Sequence, residues 1–258
     1  MKCDFYSLTD PGRVRVNNED CVAVRPALGL VALADGMGGH NAGEVASALA
    51  TRTLTERLEQ LWSAGTDSVH VAPTLLDAIL SANRAVFGAS QANTEHRGMA
   101  TTLVTAVFQR SRLTIGHVGD SRAYRLRQGH LHCLTRDHSL LQDHIDAGLI
   151  IPELAHMAHF KNLVTRAIGV SREVDADVHE HVVQAGDTYL FCSDGLNDML
   201  PDAVIAQILL HVGPLEQAGQ ELLRRANEAG GRDNISLVLV QCSPEPARTP
   251  NPEATPAH

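Results

Sequence analysis

Aromatic residues make up only 3% of this 258-residue chain, with a single tryptophan, so a base-stacking surface for single-stranded nucleic acid is not expected. Basic runs are also missing, and the formal net charge is -9, which argues against a partner bound through a phosphate backbone. No stretch of about 18 apolar residues suggests a membrane span. The opening "MKCDFYSLTD" lacks a signal-peptide pattern. Five cysteines (Cys3, Cys21, Cys133, Cys192, Cys242) are odd in number and scattered, without a CxxC pair. Free thiols in a reducing cytoplasm are therefore expected. Histidine is plentiful instead, at fourteen residues. The pairs His130/His132, His156/His159 and His179/His181 invite a zinc reading, but no sequence neighbour completes a tetrahedral set, so they read as surface or packing residues.

Familiar nucleotide loops are absent too. In "LVALADGMGGHNAGEVASALA" (30–50), Asn41 stands where a GxGxxG fingerprint needs its third glycine, and no GK[ST] follows. There is no GxSxG for a serine nucleophile.

What is present, at 44% hydrophobic and 20% charged, is a globular composition with strand-length apolar runs. These lie at 21–25, 28–34, 100–108, 112–118, 122–127, 130–135, 178–184, 187–193 and 234–241. The links "QRSR", "RQGH" and "QAGD" are short enough to predict antiparallel neighbours. Helical periodicity covers 41–62, 73–92, 201–211 and 214–229, with Pro73, Pro201 and Pro214 near the starts. About nine strands imply two packed sheets. The expected fold is α+β, a central antiparallel sandwich with helices on both sides (α-β-β-α). Residues 137–172 read as a flap, opening with a short helix capped at Asp137 or Ser139. One domain over 1–242 is expected, and the proline-rich 243–258 reads as a disordered tail.

Acids recur at the strand ends. "LVALADG" ends on Asp35, "LTIGHVGDS" on Asp120 and "TYLFCSDG" on Asp194, while Asp233 and Asn234 begin the last strand. In an antiparallel arrangement three finishes and one beginning can share one rim. Glu19 and Asp20 precede another strand and can join them. Clustered carboxylates repel one another unless cations neutralise them. All-oxygen donors select hard ions, Mg²⁺ or Mn²⁺, and Gly36 leaves a backbone carbonyl able to turn toward one. Two such ions sharing a water generate a nucleophile at neutral pH. A substrate phosphate would need an arginine fork, for which Arg13 and Arg15 are the candidates, reached through an irregular turn at Asn17-Asn18.

The stretches "DPGRVRVNNED", "LADGMGGHNAGEVAS", "GMATTLV", "HVGDSRAYRL", "LTRDHSL", "NLVTRAIG", "FCSDGLND" and "GGRDNISLVLV", in this order, resemble the metal-dependent Ser/Thr phosphatases of the protein phosphatase 2C family in their bacterial form. The likeness spans residues 4–241. It implies that Asp35 bridges two ions, with the Gly36 carbonyl on one, and that Asp194 and Asp233 complete the other. It implies that Glu19 and Asp20 hold metal-bound waters, Asp20 orienting the attacking one. Arg15 would bind the phosphate, Asp120 with Asp194 would form a third metal site, and Asn234 would support Asp233. Met37 replaces the histidine of eukaryotic members, leaving His40 or a water on a third metal as proton donor. The implied activity is hydrolysis of phosphoserine and phosphothreonine in proteins, reversing a Ser/Thr kinase of eukaryotic type, by a cytoplasmic monomer. The alternatives are a phosphatase-fold binding module without activity and another two-metal phosphoesterase, such as a nuclease.

Overall fold

The structure is a computed structural model that describes residues 1–38, 42–63, 70–151, 160 and 163–245. Its strands are β1 (Lys2–Asp10), β2 (Asp20–Arg25), β3 (Leu30–Met37), β4 (Ala100–Thr101), β5 (Leu103–Gln109) and β6 (Arg112–Val118). They continue with β7 (Arg122–Arg127), β8 (His130–Cys133), β9 (Asp177–Val182), β10 (Thr188–Cys192) and β11 (Ile235–Ser243). The helices are α1 (Ala42–Ser63), α2 (Val71–Ala92), α3 (Leu140–Asp146), α4 (Asp194–Asn197), α5 (Asp202–His211) and α6 (Leu215–Glu228).

One sheet runs β1-β11-β10-β7-β8 and the other β2-β3-β5-β6-β9, with β4 joined to β3. Among the described residues, every strand pair is antiparallel. The central strands read as continuous apolar runs because both of their faces are covered. On β3, Leu30, Ala32 and Ala34 pack under α1 and α2, while Val31 and Leu33 point between the sheets. On β11, Ile235, Leu237 and Leu239 meet α5 and α6, while Val238, Val240 and Cys242 enter the same inter-sheet layer. The result is the expected α-β-β-α order. Among the described residues, no helix is long and apolar enough to cross a membrane.

Three details differ from expectation. β1 was not foreseen: Lys2, Asp4 and Ser7 break its hydrophobicity, and it earns its place through ladder bonds to β11 along its whole length. The run 100–108 is split at Thr102 into β4 and β5. The short link "QAGD" does not join paired strands, because β9 pairs with β6 in one sheet and β10 with β7 and β11 in the other. Buried Asp187 holds that corner. It accepts from Arg127 at 2.7 and 2.6 Å, from the Gln184 amide at 2.7 Å and from the Tyr189 hydroxyl at 3.0 Å. Corners of this kind let a chain change sheets.

At the start of the expected flap, Ser139 is the cap of α3, its Oγ accepting from the Gln142 amide at 3.2 Å. Asp137 instead receives Arg122 bidentately at 2.9 and 2.7 Å. Residues 152–159 and 161–162 lie outside the described residues, as do 246–258 of the expected tail.

Candidate active site

β3, β6 and β10 finish, and β11 begins, at one rim of the sandwich, because β3 and β6 flank β5 antiparallel and β10 runs antiparallel to β11. A cleft of about 420 Å³ opens there, lined among others by Arg15, Glu19, Asp35, Gly36, Asp120, Asp194, Asp233 and Asn234. The four strand-end aspartates line this one cleft, and Arg15, not Arg13, is the arginine on its wall. The segment leading to Arg15 bends at Val16-Asn17, and the Asn18 side chain accepts from the Asp20 amide at 3.1 Å.

Asp20 is placed differently from its neighbours. It is buried, pairs in register with Asp35 across β2 and β3, and does not line the cleft. Its Oδ2 accepts from the Ser193 hydroxyl at 2.8 Å, and its Oδ1 has no hydrogen-bond partner. Asp194, at the first turn of α4, also has a buried Oδ1 without a partner.

Electrostatics follow from this crowding. Burial, then the charges of Asp20, Asp194, Asp120 and Asp233, push the Asp35 carboxyl well above the usual range. Burial and Asp120, Asp198 and Asp233 do the same to Asp194. Burial first, with Asp233 adding repulsion, raises Asp20 to about 6, while hydrogen bonds from Ser236 and Ser193 pull it down. Burial, then Asp137, raises Asp120 to about 6. Glu19 is raised as well, chiefly by burial.

Asp233 has a cation in direct contact: Arg15 Nη2 donates to its Oδ2 at 2.7 Å. That pair is half exposed, and it leaves the deeper acids uncompensated. Orphaned carboxylate oxygens, mutual repulsion and a donor set made of oxygen alone fit hard divalent cations. Among the described residues, however, no three of these carboxylates bring one oxygen each within 4.8 Å of one another; the set that meets this spacing lies elsewhere.

A family model described as protein phosphatase 2C matches residues 15–239. The chain belongs to that family.

Serine/threonine phosphatase stp of Listeria innocua is 37% identical over 236 residues, covering 90% of this chain and 93% of the relative. Serine/threonine protein phosphatase PstP of Mycobacterium tuberculosis is 38% identical over 237 residues, 92% of this chain but 44% of its own length. The crystal structure of Mycobacterium tuberculosis PstP superposes with a TM-score of 0.87 at 36% identity, covering 94% of this chain and 99% of that one. A PstP catalytic domain solved with two manganese ions gives 0.84 at 35% identity, with the same coverage.

Several positioning residues of this phosphatase 2C chain carry no sequence signal of their own. The Thr102 hydroxyl accepts from the Asp35 amide at 3.0 Å and pairs with Ser121 Oγ at 2.7 Å. Ser193 accepts from the Ser236 amide at 3.0 Å while holding Asp20. Asn234, expected from the resemblance to support Asp233, makes further contacts. Its side chain donates to the Pro11 and Asn17 carbonyls at 3.1 and 2.9 Å and accepts from the Glu19 amide at 2.8 Å, tying the Arg15 segment to β11.

The glycine after Asp35 has a packing reason. A Cβ on Gly36 would stand 2.2 Å from the Gly43 carbonyl oxygen and 2.5 Å from that of Glu19. β3, the start of α1 and the Glu19 segment therefore touch through bare backbone. His40, the expected proton donor, lies outside the described residues.

Proposed function

We propose that this protein hydrolyses phosphoserine and phosphothreonine in proteins, dependent on Mg²⁺ or Mn²⁺, and reverses a Ser/Thr kinase of eukaryotic type as a cytoplasmic monomer. The observation that carries the reading is the meeting of Asp35, Asp120, Asp194 and Asp233, from four distant segments, in one cleft beside Arg15. The family membership and the names of its relatives support the activity. The manganese ions of the PstP domain support the cofactor.

In this reading Asp35, Asp194 and Asp233, with the Gly36 carbonyl, would hold two cations, and Asp120 with Asp194 would hold a third. When bound, the cations supply positive charge for phosphate oxygens and lower the pKa of water. Arg15 binds the substrate phosphate: its fork matches two oxygens, and its half-exposed position lets it leave Asp233. Glu19 lines the cleft and holds water there. Asp20, fixed by Ser193 behind Asp35 and off the cleft wall, would orient the attacking water through Asp35, its partner across β2 and β3. No side chain in the cleft acts as a nucleophile in this scheme. Residues 1–242 form the catalytic unit, and the segment after β11 is outside it.

The test is phosphate release from a phosphothreonine peptide by the chelator-stripped protein with and without Mn²⁺. Turnover only with the metal is expected. No turnover with metal present would favour a binding module, and faster cleavage of nucleic acid would favour a nuclease.

A further inference from the structure

Strands β6 and β9 bring together His117, Asp177 and His179, one ligand atom from each lying within 4.8 Å of the other two. His117 and Asp177 are register partners, and His179 follows two residues along β9, so all three leave the same face of the sheet. None of them lines the aspartate cleft.

His117 is completely buried. Its Nε2 lies 2.9 Å from the Arg136 carbonyl oxygen, which can only accept, so Nε2 carries the proton. Burial lowers the pKa of the ring and keeps it neutral. Nδ1 is therefore a bare lone pair, and it has no hydrogen-bond partner. A tautomer fixed by a backbone carbonyl, with the other nitrogen buried and left without a partner, is the way histidine is prepared as a metal ligand.

Asp177 is held from the side. Arg166 Nη1 donates to its Oδ1 at 3.3 Å, and His138 Nε2 approaches its Oδ2 at 3.4 Å. His138 takes the Gly119 amide on Nδ1 at 3.1 Å, so its Nε2 bears the proton and orients the carboxylate without competing as a ligand. His179 Nε2 is 4.0 Å from Asp177 Oδ2, and its half-exposed ring gives a route from solvent. His181, its partner in the sequence pair, stays out of the set, with Arg125 and Arg127 adding positive charge beside it.

We propose that His117, Asp177 and His179 bind one transition-metal cation of the zinc class, at a site separate from the catalytic cleft. Two imidazoles and one carboxylate favour Zn²⁺ over the hard ions that all-oxygen donors select. Metal bonds near 2.0 Å place tetrahedral ligand atoms about 3.3 Å apart, a closing that the exposed His179 ring makes by turning. The ion pins edge strand β9 to β6.

The test uses the full chain, stripped of metal, saturated with Mg²⁺ and titrated with Zn²⁺ by calorimetry, alongside His179→Ala, Asp177→Asn and Asp35→Asn. His179 is exposed enough to be removed without opening the core. Wild type should bind one zinc equivalent that Asp35→Asn retains. His179→Ala and Asp177→Asn should weaken it by at least about 10-fold, the lower bound for losing even an outer partner. Zinc entering the cleft appears as a further equivalent that Asp35→Asn alone removes. If that is the only equivalent, if wild type binds none, or if His179→Ala binds as wild type does, the site does not exist.

Discussion

Asp20 and Asp35 stand opposite each other across β2 and β3, two carboxylates on the inner face of one ladder. Like charges in that relation destabilise a sheet. Ser193 compensates one oxygen of Asp20, while its other oxygen is left without a partner. The pair therefore costs stability in the metal-free chain, and cations in the cleft would offset the cost.

Replacing Asp35 separates function from stability. Asp35→Asn should lower phosphopeptide turnover at least about 100-fold, the scale for losing one group that stabilises transition-state charge. The same change removes a repelling charge beside Asp20, so the variant should melt at a higher temperature than wild type in chelator. Wild-type turnover, or a lower melting temperature in chelator, would contradict the assignment.

Arg15 should act on substrate and not on metal. Arg15→Ala should reduce kcat/KM for a phosphomonoester by about 10- to 100-fold, the range for a hydrogen bond to a charged group. Metal affinity should hold or rise, because the guanidinium that occupies Asp233 is gone. Calorimetric Mn²⁺ titration of the variant checks this, and a collapse in affinity would refute the role.

The pKa shifts set a pH dependence for the metal-free protein. Asp20 and Asp120 ordinarily titrate at 3.8, but in the fold they hold their protons to about 6. The unfolded chain ionises first, so these groups remove stability as pH rises from 3.8 through about 6, and Asp35 and Asp194 extend the window upward. Added Mn²⁺ should therefore raise the melting temperature more at about pH 7.5 than at about pH 5.5, where protons compete for the same oxygens. Equal gains at both pH values would argue that these carboxylates are not the ligands.

Gly36→Ala tests the close backbone approach. With the Gly43 carbonyl oxygen 2.2 Å from the new Cβ, β3 and α1 must separate. The cost should be about 1–3 kcal/mol, as for overpacked cores, read from denaturant unfolding. An unchanged midpoint would mean that the approach is looser than described.

Much of the sandwich was legible because its central strands are apolar on both faces and its acids stop at their ends. "LVALADG" and "TYLFCSDG" each announce a buried strand and a charged terminus, and antiparallel order puts those termini together. β1 was illegible because its stability comes from pairing with β11, the other end of the described chain. The sheet change at "QAGD" depends on Arg127 and Tyr189 gripping Asp187, which loop length does not reveal. The retreat of Asp20 behind Asp35, and the support from Thr102 and Ser193, are matters of register and side-chain direction. The His117–Asp177–His179 set was hidden for the same reason: the sequence shows His179 beside His181, whereas the fold sets it beside His117.

The central claim is that the strand-end aspartates are gathered by divalent cations, and anomalous diffraction from crystals grown with Mn²⁺ tests it most directly. The account predicts at least two manganese peaks in the cleft, with Asp35 touching two of them and Asp194 and Asp233 on one of these. Peaks elsewhere with none between these three side chains, or carboxylates that point apart in the presence of the metal, would contradict it.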